Sequence, residues 1–169
     1  LGIDDSPFDK SKKSRVLVIG IVMRGGNWLE GVISTKVSVD GADSTRKFIE
    51  MINKCKFKPQ LRCIFLDGIA VAGLNVINIK KLNRETNIPV IVVIRKNPDV
   101  KKIKEVLAKL NKKPKIRFLD YAGDIIKIGK LYVQLCGVDK GRAEDILKIC
   151  CTRSLLPEPL REAQKPWKN

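Results

Sequence analysis

Residues 61–68, Leu61-Arg62-Cys63-Ile64-Phe65-Leu66-Asp67-Gly68, decide the fold. Leu61–Leu66 is a near-continuous apolar run that stops at a carboxylate and a glycine. It has the length of a strand, and a strand apolar on both sides belongs inside a sheet covered on both faces. Val90-Ile91-Val92-Val93-Ile94 is a second run of the same kind, followed by Arg95-Lys96. Helical patterns follow both runs, over Val76–Glu85 and, after Pro98, over Val100–Leu110. The two runs therefore read as consecutive parallel βα units.

Upstream the pattern changes. Arg15–Met23 is a β-branched run closed by Gly25-Gly26, and Leu29–Val39 alternates as its antiparallel return. Leu1–Asp5 reads as a first strand; opening on Leu1-Gly2-Ile3 without an initiator Met, it implies residues before it. Asp43-Ser44-Thr45 starts a helix over Arg46–Lys54, with Phe48, Ile49 and Ile52 on one face. Downstream, Ile116–Leu119 reads as extended, and Ile125–Ile128 and Leu131–Val138 as a further pair of strands. Gly141–Cys150 reads as a helix and Leu155–Ala163 as a shorter one. No repeat or linker interrupts the chain. The expectation is one α/β domain over residues 1–169, with three antiparallel strands, then parallel βα units, in a mixed sheet with helices on both faces.

Composition removes whole classes of chemistry. The chain has no His, which excludes Ser-His-Asp triads, Cys-His pairs and His-ligated zinc. Its five Cys include no Cys-x-x-Cys, so neither a zinc site nor a thioredoxin-like motif is supported, and reduced thiols of a cytoplasmic protein are expected. No apolar run is long enough to cross a bilayer, so no membrane partner is expected. Nor does any P-loop or dinucleotide-binding glycine motif occur. What remains is charge: 34 Lys and Arg against 18 Asp and Glu, a net +16. Residues 1–50 carry only +1 of it, whereas Lys80–Arg117 alone carries +10. A polyanion is the natural partner of such a segment, through Lys101, Lys102 and their neighbours. The same lysines would also serve simply to solvate a helix.

Carboxylates stand at strand ends. Asp4-Asp5 close the first strand, Asp40-Gly41 the third, Asp67-Gly68 the first buried run, and Asp139 follows Leu131–Val138. Functional groups of open α/β sheets gather outside the carboxyl ends of strands. Carboxylates converging there call for a hard cation such as Mg²⁺, and two such ions about 4 Å apart can drive phosphodiester hydrolysis without His. Each residue alone has an ordinary explanation, since Asp before Gly forms turns, and Asp43 and Asp139 are placed as helix N-caps. Only one of Asp4 and Asp5 can face a shared site, because strand neighbours point to opposite faces. Arg95-Lys96 sits where a side chain reaches a phosphate at that edge. Trp28, beside Gly25-Gly26 at a hairpin tip, is either an exposed wedge that stacks on a base or a residue packed on the sheet.

Four stretches carry a resemblance: Gly2-Ile3-Asp4-Asp5-Ser6-Pro7-Phe8, Met23–Gly31, Val39-Asp40-Gly41-Ala42-Asp43 and Leu66–Asn75. With Pro157-Glu158-Pro159-Leu160-Arg161, they resemble an archaeal family described as endonuclease dU, over nearly the whole chain. That family is similar to endonuclease V, which has a ribonuclease H-like fold and nicks nucleic acid near a deaminated base using Mg²⁺. The resemblance implies a ribonuclease H-like fold and a Mg²⁺-dependent endonuclease, with Mn²⁺ as a substitute. Its substrate would be DNA carrying a deaminated base of the deoxyuridine type, with RNA as the other candidate substrate. It makes Asp4, rather than Asp5, the first metal ligand and Asp67 the second, and puts Lys96 or Arg95 at the phosphate. Asp139 occupies the place of the family's metal-site histidine. The Phe-Arg-Glu that supplies the third ligand in endonuclease V is absent, leaving Asp40, favoured at its strand end, or Asp43. Trp28 would stand where that enzyme carries its strand-separating wedge. A non-catalytic nucleic-acid-binding module on the same fold is the competing expectation.

Overall fold

A computed structural model describes residues 1–9 and 14–167. One seven-stranded sheet dominates it, in the order β3-β2-β1-β4-β7-β9-β8. β1 (Gly2–Asp5), β2 (Arg15–Arg24) and β3 (Trp28–Ser38) are successive antiparallel neighbours. β4 (Ile64–Asp67) runs parallel to β1, and β7 (Val90–Ile94) parallel to β4. β9 (Leu131–Cys136) returns antiparallel to β7, with β8 (Ile126–Ile128) outside it. The apolar runs that decided the reading are the sheet's centre: Ile64, Phe65, Leu66 and Val90–Val93 are all buried.

Strand periodicity divides these side chains between two faces. Ile3, Ile64, Leu66, Val90 and Val92 pack beneath α1 (Ser44–Lys54) and α2 (Ile79–Thr86), against Phe48, Ile52, Ile79 and Leu82. Phe65, Ile91, Val93 and Val133 face α5 (Lys140–Cys150) and α6 (Glu158–Gln164), through Ala143, Leu147 and Leu160. A smaller third cluster joins α3 (Val100–Lys109) and α4 (Lys113–Tyr121) through Leu107 and Leu119 to Val76. Among the described residues no helix is long and apolar enough to cross a membrane.

Three local expectations are corrected. Ile116–Leu119 is not extended but lies within α4, where Pro114 occupies the first turn and Ile116 and Leu119, three apart, turn one apolar face to α3. The helix read from Val76 starts at Ile79, because β6 (Asn75–Val76) pairs with β5 (Ala70–Val71) as a two-stranded ribbon and Asn78 caps the helix by accepting from Lys81 N. The last helix starts at Glu158, after Pro157.

α6 lies so close to β1 that a Cβ on Gly2 would fall on the backbone of Pro159 and Leu160. Only glycine permits that approach. Gly2→Ala should therefore cost about 1–3 kcal/mol, as overpacking does elsewhere, read as a lowered urea midpoint; an unchanged midpoint would refute the close approach.

Candidate active site

The parallel register puts Ile3 beside Leu66, so Asp4 and Asp67 are the next residues of adjacent strands. Ile3 and Leu66 belong to the core under α1, which turns Asp4 and Asp67 to the opposite face, towards α6. Asp67 is held from two sides: Arg95 donates to Oδ2 at 2.8 Å and the Gln164 amide to the same oxygen at 2.5 Å. Among the described residues Asp4 accepts only the neighbouring Asp5 N–H, at 3.0 Å to Oδ1. Burial, reinforced by the Asp67 charge, pushes the Asp4 carboxyl up to about 7. Asp5 points to the other face, where its Oδ2 takes the Ala72 N–H at 2.8 Å. Burial raises its pKa as well, against that hydrogen bond.

The remaining sequence candidates separate clearly. Arg95 joins the pair, whereas among the described residues no hydrogen bond or ion pair links the exposed Lys96 to either carboxylate. Asp40 lies at the same sheet edge, but its Oδ1 accepts the Leu74 N–H at 2.8 Å and its Oδ2 lies 3.7 Å from Lys112. Burial opposes ionisation of Asp43, yet hydrogen bonds from Ser38 N–H, the Asn75 amide and Ser38 hydroxyl hold it below the usual carboxylate range. Among the described residues no three His, Cys, Asp or Glu side chains are grouped to hold a metal ion. Two carboxylates and an amide still suit Mg²⁺, which uses one or two carboxylates and keeps several waters.

Asp139 and Trp28 are not brought to this group. Asp67 is level with Val93, and Val93 with Val133, but β9 then runs away from that edge to Cys136 beside Val90. Asp139 lies beyond Cys136, at the opposite edge, where it caps α5 by accepting from Arg142 N at 3.0 Å. That bond holds its carboxyl low. Trp28 is 65% exposed, as a wedge would be, but it pairs with Arg24, whereas Asp4 pairs with Ile19. Five residues of β2 separate the two levels, about 17 Å at the usual strand rise. Lys101 and Lys102 lie exposed in the first turn of α3, after β7 leaves the carboxylate edge.

Gln164 was not singled out by sequence. Its signal lay just past Pro157-Glu158-Pro159-Leu160-Arg161, a motif that is structural: Glu158, 1% exposed, accepts from Arg153 N and Arg161 Nε and so fixes the start of α6.

The model described as endonuclease dU matches residues 1–165. A UPF0215 protein of Methanothermobacter thermautotrophicus is 45% identical over 168 residues, covering 96% of this chain and 82% of that protein. One from Methanopyrus kandleri is 44% identical over 170 residues, covering 96% and 86%. A solved structure from Archaeoglobus fulgidus, a protein of unknown function, superposes with a TM-score of 0.91 at 37% identity, covering 98% of this chain and 93% of its own. Endonuclease V of Bacillus subtilis superposes at 0.65 with 12% identity, covering 98% and 77%. That of Ciona intestinalis, in complex with a 24mer DNA containing an inosine followed by a ribo-adenosine, does so at 0.59 with 18% identity, covering 98% and 82%. These last two likenesses concern the fold, which is ribonuclease H-like.

The Asp4 carboxyl predicts a pH-dependent stability. Its folded pKa of about 7 lies above the unfolded value, near 3.9. Its contribution is therefore full below about pH 4, is lost as pH rises towards 7, and stays lost above. In EDTA, Asp4→Asn should match the parent's melting temperature near pH 4 and exceed it above pH 7. An equal offset at both pH values would rule out the buried charge as the cause.

Proposed function

The chain belongs to the endonuclease dU family, and we propose from that premise that it is a Mg²⁺-dependent endonuclease nicking DNA at or near a deaminated base. The carrying observation is the Asp4–Asp67 pair, two like charges on one face at the edge where Arg95 and the basic α3–α4 segment also gather. In this reading Asp4 and Asp67 hold the metal. Bound there, Mg²⁺ would supply Lewis-acid stabilisation of the phosphodiester oxygen and a water of lowered pKa. The chain's own groups do the rest. Gln164 fixes the rotamer of Asp67 through Oδ2. Arg95, whose side chain is half exposed, can exchange Asp67 for a phosphate oxygen without leaving the edge. Lys96, Lys101 and Lys102 supply sequence-independent attraction for the strand. Five free cysteines agree with action in the cytoplasm.

The test is incubation with Mg²⁺ or Mn²⁺ and duplexes each bearing one uracil or hypoxanthine. One class of duplex should be nicked. Asp4→Asn and Asp67→Asn should abolish nicking while leaving duplex affinity largely intact, and Mg²⁺ should raise the melting temperature of the parent but not of Asp67→Asn. Log affinity should fall with log salt by about 0.9 per phosphate contacted, and reversing charge at Lys101 and Lys102 should flatten that slope. Binding without nicking under either metal would favour the non-catalytic module instead.

A further inference from the structure

Lys115 is a lysine that the catalytic reading does not use. It sits on α4, only 8% exposed, and its Nζ donates to Asp40 O at 2.7 Å, Gly41 O at 2.5 Å and Leu74 O at 2.7 Å. An ammonium has three donors, so every one is spent on backbone. Burial and the neighbouring Lys112 push its pKa down, while the Asp40 carboxylate works against them. Lys112 adds a longer bond to Asp40 O at 3.3 Å.

The three carbonyls belong to two segments that lead to the catalytic strand. Asp40 N donates to Ala72 O, and Ala72 N donates to Asp5 Oδ2, next in sequence to Asp4. Leu74 N in turn donates to Asp40 Oδ1. Asp40 and Ala72 both adopt positive φ, at 52° and 46°, a conformation that non-glycine residues keep only when their surroundings impose it. α4 also packs on α3 through Ile116, Leu119 and Leu107, and the pair meets the body through the small cluster around Val76. A basic helical hairpin is thus fastened to the body by the cluster around Val76, by Lys80 over the Tyr121 ring, by the longer contacts of Lys112, and most closely by the Lys115 ammonium.

We propose that Lys115 is a positioning residue: by gripping Asp40, Gly41 and Leu74 it sets the α3–α4 hairpin at a fixed place relative to Asp4 and Asp67, and so fixes which phosphodiester of a bound strand meets them. This rests on the nuclease reading of that site. It assigns Lys115 no contact with substrate; the contacts belong to the exposed lysines around it.

Lys115→Met and Lys115→Arg provide the test, each first shown to be folded by its melting curve. The arginine variant keeps charge and donors but replaces a point-like ammonium with a planar fork, so it serves if the methionine variant does not fold. The salt slope of duplex binding should stay as in the parent, because Lys115 contacts no phosphate. The nick should spread from one phosphodiester to its neighbours, and kcat should fall about tenfold, within the loss that ångström-scale misplacement causes. A second readout needs no activity. Asp4→Cys, cross-linked as a disulfide to duplexes carrying a thiol tether at successive phosphates, should capture one dominant position with Lys115 present and several with it replaced; the parent with Asp4 intact reports background from native thiols. Should the parent nick nothing while this pattern holds, the nuclease reading fails and the positioning role stands. A single unchanged nick or cross-link position in a folded variant would overturn the positioning role.

Discussion

The parallel pairing of β1 with β4 is the constraint from which the site follows. Backbone hydrogen bonding sets Ile3 beside Leu66, and the pleat then places Asp4 and Asp67 on one face. Arg95 only partly offsets the cost of that juxtaposition: burial first, and the Asp67 charge second, raise the Asp4 pKa. What sustains it is the apolar core on both faces of β4, where Ile64, Phe65 and Leu66 are almost wholly buried. Slipping the register by one residue would bury Asp67 in the core beneath α1 and turn Leu66 to the other face. The core therefore enforces the charge pair.

That logic also explains what the sequence disclosed. Central strands were legible because continuous β-branched runs have few other uses. α4 was not, because Ile116-Arg117-Phe118-Leu119 is too short for its period to separate helix from strand. The strand-end rule holds in that Asp4 and Asp67 come together, because β1 and β4 are parallel and their carboxyl ends share an edge. It misled for Asp139 because β9 is antiparallel to β7, and its carboxyl end lies at the other edge. Trp28 is exposed rather than packed on the sheet, but the β2–β3 tip that carries it lies beyond the start of β1 rather than its end. Asp40 reached the correct edge, but its carboxylate is engaged by the Leu74 N–H and by Lys112, which no spacing announces. Gln164 depends on how α6 crosses the sheet, which is tertiary information.

Glycine and glutamate at opposite ends of the chain share in that crossing. Gly2 admits the α6 backbone against β1, and Glu158, buried with Arg161 and Arg153 N, fixes where α6 begins. Gln164 lies nearly two turns further on, over Asp67. The amide is neutral, so it orients the carboxylate without adding or cancelling charge. A cation in its place would have neutralised Asp67 permanently. Arg95 does neutralise it, but from a half-exposed position that leaves the guanidinium free to move.

In the proposed nuclease, the same geometry would tie substrate to metal. A strand drawn by the basic hairpin brings phosphates towards an edge that already holds two carboxylates, of which Arg95 pairs only Asp67. Phosphate and the Asp4–Asp67 pair repel each other unless a dication stands between them, whereas a dication held by that pair alone lacks an anion on its open side. Each would therefore improve the site for the other, and by linkage the coupling would be equal in both directions. In that proposal Arg95 would respond to both, since it pairs with Asp67 and could turn to a phosphate. On the proposed reading, the +16 charge concentrates polyanion generally, while productive binding is confined to the short stretch of edge where two carboxylates need a cation.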